Sequence, residues 1–464
     1  MSTTSIINRQ FLEKAQHQFN SNPSNTISKN AVTCVGAYNA ALDSDKANRV
    51  THIFLNTLKP HNLRATNQEA SGRCWMFAGL NVYRYLMIRA LGLERFEFSE
   101  TYLFFYDKLE RANYLIQYFI DHPEADPNGR VEDILLRGYY TDGGYWNFFS
   151  NLINKYGLIP KDAMEETFHS GWSEDMNAIL NERILSCINK IMELQKSKRP
   201  NKKRIQELRD TTMNNVYECL VKFLGKPPEK FDWYFEDSEG QPQAITGYTP
   251  HRFYEMIKSV NAKDFVVLVN IPGREYYRTY AIRNCNNMVG GDPCVVLNLP
   301  IDELKKYASK SIEKGLPVWF AGDVSKGFGY HKSVLDEKIY NTDLLFGSPQ
   351  KWNKEQKLRL GFTEANHAMT LTGVNYDEKG NPLQWQVENS WGYFDHETPG
   401  LDGFMTMSNQ WFEDNLVQIS VNRHFLSRNI EKCLDKEPEV LEPWDFMAPA
   451  IKVKGVKNPL RKSK

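Results

Sequence analysis

The chain has 464 residues, of which 41% are apolar, 13% aromatic and 25% charged; this is an ordinary globular composition and excludes collagen-like, disordered and disulfide-scaffold proteins. At roughly 100–200 residues per domain, that length is up to three domains or one large elaborated one. The 57 basic and 57 acidic side chains balance, so the whole chain shows no electrostatic bias toward nucleic acid or acidic lipid.

Met1 to Asn20 is polar and charged with no apolar stretch, so it is expected to be neither a signal peptide nor an anchor. No window approaches the ~18 apolar residues of a membrane span, and no membrane contact is expected. Residues 1–65 mix polar turns with short apolar pieces and are expected to pack on a larger core. From Cys74 to Leu91 apolar residues crowd the chain and Gly92 follows as a C-cap, which predicts a largely buried helix. A second helix is predicted from Ser99 to Phe119. After the Asp142-Gly143-Gly144 turn, a third runs from Tyr145 to Tyr156. Between Trp172 and Leu224 apolar residues recur at steps of three and four, which predicts two amphipathic helices broken at Pro200. Their connection, Lys196 to Arg204, gathers six cations; it reads as a solvated turn or as a knob that faces polyanions.

Beyond Pro227-Pro228 the texture changes to short apolar runs bounded by Gly and Pro, at Phe265–Ile271, Cys294–Leu299 and Val318–Gly322, which predict strands. Ala368–Val374 and Gln384–Val387 are predicted to pair around the turn Asp377–Pro382. The chain is therefore expected to be α+β, helix-rich first and sheet-rich last. The expected division is an N-terminal segment (1–65), a helical half (66–170), a helical-hairpin insertion (171–228), a β-rich half (229–430) and a C-terminal tail (431–464).

Seven cysteines lie scattered without CxxC or Cys/His spacing. Their odd number points to free thiols and a reducing cytoplasm, and no metal or other cofactor is implied. Cys74 stands out because a loop containing Gly72 delivers it to the first turn of an apolar helix. Unpaired N–H groups and the helix dipole there favour a thiolate. Gln68, six residues earlier, can donate its amide to an oxyanion beside the Cys74 N–H. A cysteine nucleophile needs a base, and the base needs an orienter. His367 lies in an apolar strand-like run, Asn389 can hold its imidazole, and Trp391 can cover that hydrogen bond from water. Gly143 and Gly144 are expected to offer backbone groups to an extended peptide, or else to form an ordinary tight turn.

Gln68, Cys74-Trp75, His367 and Asn389-Ser390-Trp391-Gly392 resemble the papain-type cysteine peptidases. The whole chain resembles, more specifically, the bleomycin hydrolase and aminopeptidase C family. That likeness extends through Lys155–Pro160, Gly225–Pro228, Asn287–Gly291, Pro317–Asp323 and Trp444-Asp445. The resemblance implies a papain-like fold, a Cys74–His367–Asn389 triad acting through a thioester, and aminopeptidase action on short or unfolded peptides and bleomycin-like carboxamides. It also implies a homohexamer enclosing its active sites, with each C-terminal tail in its own cleft. Ser71 stands where the secreted papain pattern has a disulfide cysteine, which fits the cytoplasm, and only 73 residues precede Cys74, leaving no room expected for a separate propeptide. Lys452–Lys464 extends past the usual family ending with six cations and no acid, so trimming near Ala450–Ile451 is expected, or else a tail that weakens strict aminopeptidase action. An amidase or acyltransferase would use the same triad. A nucleic-acid-binding scaffold with accessory peptidase activity is the alternative from another class, with weak DNA or RNA binding through Lys196–Arg204 and Lys452–Lys464, since clustered cations bind phosphates.

Overall fold

The computed structural model describes residues 6–61, 63–138, 140–329, 332–347, 352–392 and 403–455. Two helices open the chain, α1 (Arg9–Asn20) and α2 (Pro23–Val35), and neither has a buried residue. Of the described residues within 1–65, the later ones meet the main sheet and core. Asn56 and Thr57 pair with a strand of the main sheet, and Leu58, Leu63 and Ala65 are buried. The apolar side chains Phe11, Leu12 and Ile27 of α1 and α2 are exposed.

The helix α3 (Cys74–Leu91) forms where the sequence predicts it. Gly92 ends it in the left-handed conformation (φ 61°), its N–H donating to the Ile88 carbonyl. Nearly every α3 side chain is buried, as expected for a helix that is apolar all round. Its buried polar residues are partnered: Asn81 with Thr66, and Arg84 with the Glu388 carboxylate at 2.8 Å. Ser99 caps α4 (Glu100–Asp121) by accepting from the Tyr102 N–H. The glycine turn leads into α5 (Trp146–Tyr156). The hairpin α6 (Glu174–Gln195) and α7 (Lys202–Leu224) packs on α4, burying Leu180, Ile184, Ile191, Val216 and Leu220, while every residue from Lys196 to Arg204 at its tip is exposed.

The second half builds one sheet from β1 (Phe265–Val269), β2 (Arg278–Ile282), β3 (Val295–Asn298), β4 (Val318–Gly322), β5 (His367–Tyr376), β6 (Pro382–Glu388), β7 (Phe404–Ser408), β8 (Leu416–Asn422) and β9 (Glu439–Leu441). Their order is β9-β2-β3-β1-β8-β4-β5-β6-β7, with short strands at Val334–Leu335 and Phe328–Gly329 beyond β7. β5 runs antiparallel to both β4 and β6, and its first eight residues are buried. Two hydrogen bonds fasten α3 to these strands: the Trp319 indole donates to the Trp75 carbonyl (3.0 Å), and the Thr370 hydroxyl to the Ala78 carbonyl (3.1 Å). The start of the buried helix is thereby set against the start of the buried strand. Near the end of the described residues a short helix, α8 (Met447–Ile451), has Met447, Ala448, Ala450 and Ile451 buried. Among the described residues, no helix is long and apolar enough to cross a membrane.

Candidate active site

Cys74 opens α3 and is fully buried, its Sγ accepting from the Ala368 N–H at 3.4 Å. The preceding loop is pinned from several directions. Gln68 donates its backbone N–H to the Ser390 carbonyl (2.8 Å) and its amide Nε2 to the Ser71 carbonyl (2.7 Å), while its Oε1 accepts from the Ser390 hydroxyl (2.6 Å). Arg73, with no exposed surface, sends its guanidinium to both Glu166 oxygens (3.0 and 2.7 Å) and stands 5.0 Å from the Phe77 and Phe104 ring centroids. Such a bidentate pair fixes direction as well as position.

His367 and Asn389 come together because the β5/β6 register pairs Thr370 with Glu388, bringing the first residue of β5 beside the residue that follows β6. His367 Nε2 lies 2.8 Å from Asn389 Oδ1. The Ser390 N–H also donates to that oxygen (2.8 Å), which fixes it as the acceptor and makes Nε2 the protonated nitrogen. Nδ1 is buried and has no hydrogen-bond partner among the described residues. Trp391 lies against the imidazole with ring centroids 4.8 Å apart.

The sequence favours a thiolate at Cys74, yet in this closed site burial outweighs the helix terminus. Burial pushes the thiol up to about 12, against the lowering effect of the Ala368, Trp75 and Cys74 N–H groups. Burial also lowers His367 to about 4, opposed by its bond to Asn389. Burial thus works against the charged form of both groups.

Gly143 and Gly144 already have an extended partner. The Gly144 N–H donates to the Val453 carbonyl (3.0 Å) in an antiparallel bridge, and the Gly143 carbonyl accepts from Arg111 (2.7 Å). A Cβ on Gly143 would strike the Val453 carbonyl, and one on Gly144 the Trp75 indole, so both positions require close backbone approach. The chain continues to Gly455, whose carbonyl would lie 3.1 Å from a Cβ on Gly72, two residues before Cys74. Ala450 and Ile451, by contrast, are buried, and their carbonyls accept from the Ala365 N–H (2.8 Å) and Gln418 (2.9 Å). Of the tail's basic extension, 456–464 lie outside the described residues; Lys452 donates to the Gly138 carbonyl (2.9 Å) and Lys454 pairs with Glu364 (2.6 Å).

Sequence reasoning missed the residue that joins these parts. Asp142 accepts from the Gly72 N–H (3.1 Å), Lys108 (2.7 Å), Asn177 (2.7 Å) and the Ser173 hydroxyl, and its carbonyl accepts from the Trp75 indole (2.6 Å). It ties the loop before Cys74 to the segment that carries Gly143 and Gly144. The only sequence signal was its place beside Gly143. Burial alone would raise its carboxyl, but the Lys108 ammonium and the hydrogen bonds from Lys108, Ser173 and Asn177 hold it well below its ordinary 3.8. Asp142→Ala strands a fully buried ammonium and is expected to cost about 3–5 kcal/mol, read as a lower urea midpoint. Since the folded carboxyl titrates below the unfolded one, the stabilisation is present above that ordinary value and is lost as pH falls through the folded one. The variant's stability should accordingly fall less steeply in acid.

The geometry has known counterparts. A description of the Peptidase C1-like family matches residues 6–448. Human bleomycin hydrolase is 34% identical over 454 residues, 96% of this chain and 99% of that one. Aminopeptidase C of Listeria monocytogenes is 35% identical over 386 residues, 83% of this chain and 86% of that one. The crystal structure of pepW from Lactobacillus rhamnosis superimposes with a TM-score of 0.91 at 30% identity, covering 96% of this chain and 99% of the other.

Proposed function

The chain belongs to the Peptidase C1-like family and has its α+β papain-like fold, and from that premise we propose that it is a cytoplasmic thiol aminopeptidase with Cys74, His367 and Asn389 as its triad. Its relatives are named bleomycin hydrolase and aminopeptidase, so the proposed substrates are short or unfolded peptides and carboxamides of the bleomycin kind. One observation carries the reading: Asn389 fixes the proton on His367 Nε2, which leaves Nδ1 as a buried base in the strand whose next N–H touches Cys74 Sγ.

In the proposed reaction the thiol proton passes to His367 Nδ1 as sulfur attacks the scissile carbonyl. The resulting imidazolium is held by Asn389 and then protonates the leaving amine. Water hydrolyses the thioester, with His367 again taking the proton. The Cys74 N–H and the Gln68 amide stabilise the oxyanion in both halves, and one such donor is typically worth ~10²–10³-fold. Gly144 holds the substrate backbone as it now holds Val453, with Trp391 shielding the His367–Asn389 bond. The free thiols and Ser71 support the cytoplasmic assignment.

The proposed assembly is a homohexamer. Exposed Phe11, Leu12, Phe19 and Ile27 on the two opening helices, with Leu344 and Phe346, favour it, since large exposed apolar patches mark interaction surfaces. Among the described residues, the exposed cations of the α6–α7 tip favour weak nucleic-acid binding, whereas Lys452 and Lys454 are engaged within the chain; the other four cations of Lys452–Lys464 lie outside the described residues. Matched peptides with free and acetylated N-termini test the exopeptidase assignment: the free peptide should lose residues singly from its N-terminus, with the acetylated one at least about tenfold slower. A difference that large is about 1.4 kcal/mol of transition-state binding. Equal rates, or cuts inside the peptide, would sink the assignment.

A further inference from the structure

A cavity of about 280 Å³ opens beside the glycine pair, lined by Gly143, Tyr145, Phe148, Cys285, Pro449 and Lys452. Half-buried Cys285 belongs to the loop joining β2 to β3, and Cys294 stands at the other end of that loop, just before β3. The antiparallel register explains their approach: Ala281 pairs with Val295, and the Cys285 N–H turns back to the Ile282 carbonyl. The Cys285 side chain is near enough to those of Cys294 and Tyr145 for each to act on its thiol. Both thiols are reduced. The loop is seated on α5 by Asn287, which donates to the Phe148 carbonyl (3.1 Å) and accepts from Asn151 (3.2 Å).

We propose that Cys285 and Cys294 are a hydroperoxide-oxidisable dithiol site beside the peptide groove, with Cys285 the thiol that is oxidised first and Cys294 the one that resolves it. The Cys285 sulfur attacks one peroxide oxygen; the O–O bond breaks, hydroxide leaves, and a sulfenic acid forms. The Cys294 sulfur then attacks Cys285, the S–O bond breaks, and water leaves with the Cys294 proton. Two electrons pass from the thiols to the peroxide, which ends as water or, for an organic peroxide, water and an alcohol.

The roles follow from the surroundings. Cys285 reaches the cavity, whereas Cys294 is 3% exposed. Burial alone would raise the Cys285 thiol, but hydrogen bonds with Cys294 and Tyr145, together with the Lys452 and Arg111 cations, outweigh it and lower its pKa. Thiolate character with access selects the sulfur that oxidises. Lys452 belongs to the tail, so the site is primed while the tail lies in the groove. Closing the disulfide draws Cys285 toward Cys294, and Tyr145, next to Gly144, loses its thiol partner.

The test uses the full-length Cys74→Ala protein, so that the proposed nucleophile does not compete for oxidant, and its readout needs no activity. After micromolar hydrogen peroxide, alkylation and digestion, mass spectrometry should find the Cys285 and Cys294 peptides joined and should find them separate after dithiothreitol. In Cys74→Ala/Cys294→Ser, dimedone should label Cys285. The proposal is overturned if both thiols alkylate fully at a dose that oxidises exposed Cys34, or if Cys285 takes no dimedone once its resolving partner is gone.

Discussion

Cys74→Ala is expected to lower kcat/KM for a short free-amino peptide by roughly 10⁵–10⁶-fold, the scale found when a covalent nucleophile is removed. Folding should survive, because the contacts that shape the site bypass the sulfur. Arg73–Glu166, the Asp142 network and the Gln68–Ser390 bonds all remain, and Cys74 Sγ contributes one acceptor to the Ala368 N–H. Gln68→Ala provides the contrast. If Gln68 serves the oxyanion, kcat should fall ~10²–10³-fold, with KM changing less, since an oxyanion donor acts mainly in the transition state. Single-turnover rates on both variants, with urea midpoints as the folding control, separate the two roles. Measurable turnover by folded Cys74→Ala would remove the covalent mechanism.

Sequence reading reached the elements whose signals are local. Ser99 caps a helix, Gly92 ends one, Pro200 breaks a pair, and the Asp377–Pro382 turn joins two strands, each within a few residues of the chain. It also singled out Cys74, His367 and Asn389 as a candidate triad with Gln68 beside it, because these residues carry a family pattern in windows of a few residues. What it did not reach depends on distant partners. β8 lies between β1 and β4 in mid-sheet, yet its own residues give no indication of those neighbours. Arg73 meets Glu166, and Asp142 meets Gly72 and Lys108, over separations that no periodicity spans. The two opening helices differ again: their apolar residues are visible in the sequence, but whether they are covered depends on contacts outside one chain. Burial raises the Cys74 thiol, and the protein's own tail lies on Gly144 and beside Gly72.

Truncation after Ile451 should therefore change the enzyme more than any surface substitution. Val453 now occupies the Gly144 N–H, and Gly455 lies on Gly72. A short tether holds such a segment at an effective concentration on the order of millimolar, so even a tail of millimolar intrinsic affinity would fill about half of the grooves. With Val453 fully buried, occupancy should be nearly complete. Removing 452–464 is expected to raise kcat/KM for short peptides by about tenfold or more and to weaken discrimination against acetylated N-termini. It should also let water reach Cys74 and His367, relieving the burial that raises one and lowers the other. The thiol would then fall from about 12 and the imidazole rise from about 4, both toward the ion pair, and Cys74 should react faster with iodoacetamide at neutral pH. Self-trimming would produce the same change naturally. Its site is expected beyond Lys454, near Gly72 and Cys74, rather than at Ala450–Ile451, whose backbone is buried and hydrogen-bonded. Intact-mass measurement should then find the wild type shortened and Cys74→Ala full length. A full-length wild type that hydrolyses peptides and alkylates as fast as the truncated chain would refute the tail as the groove's resident strand.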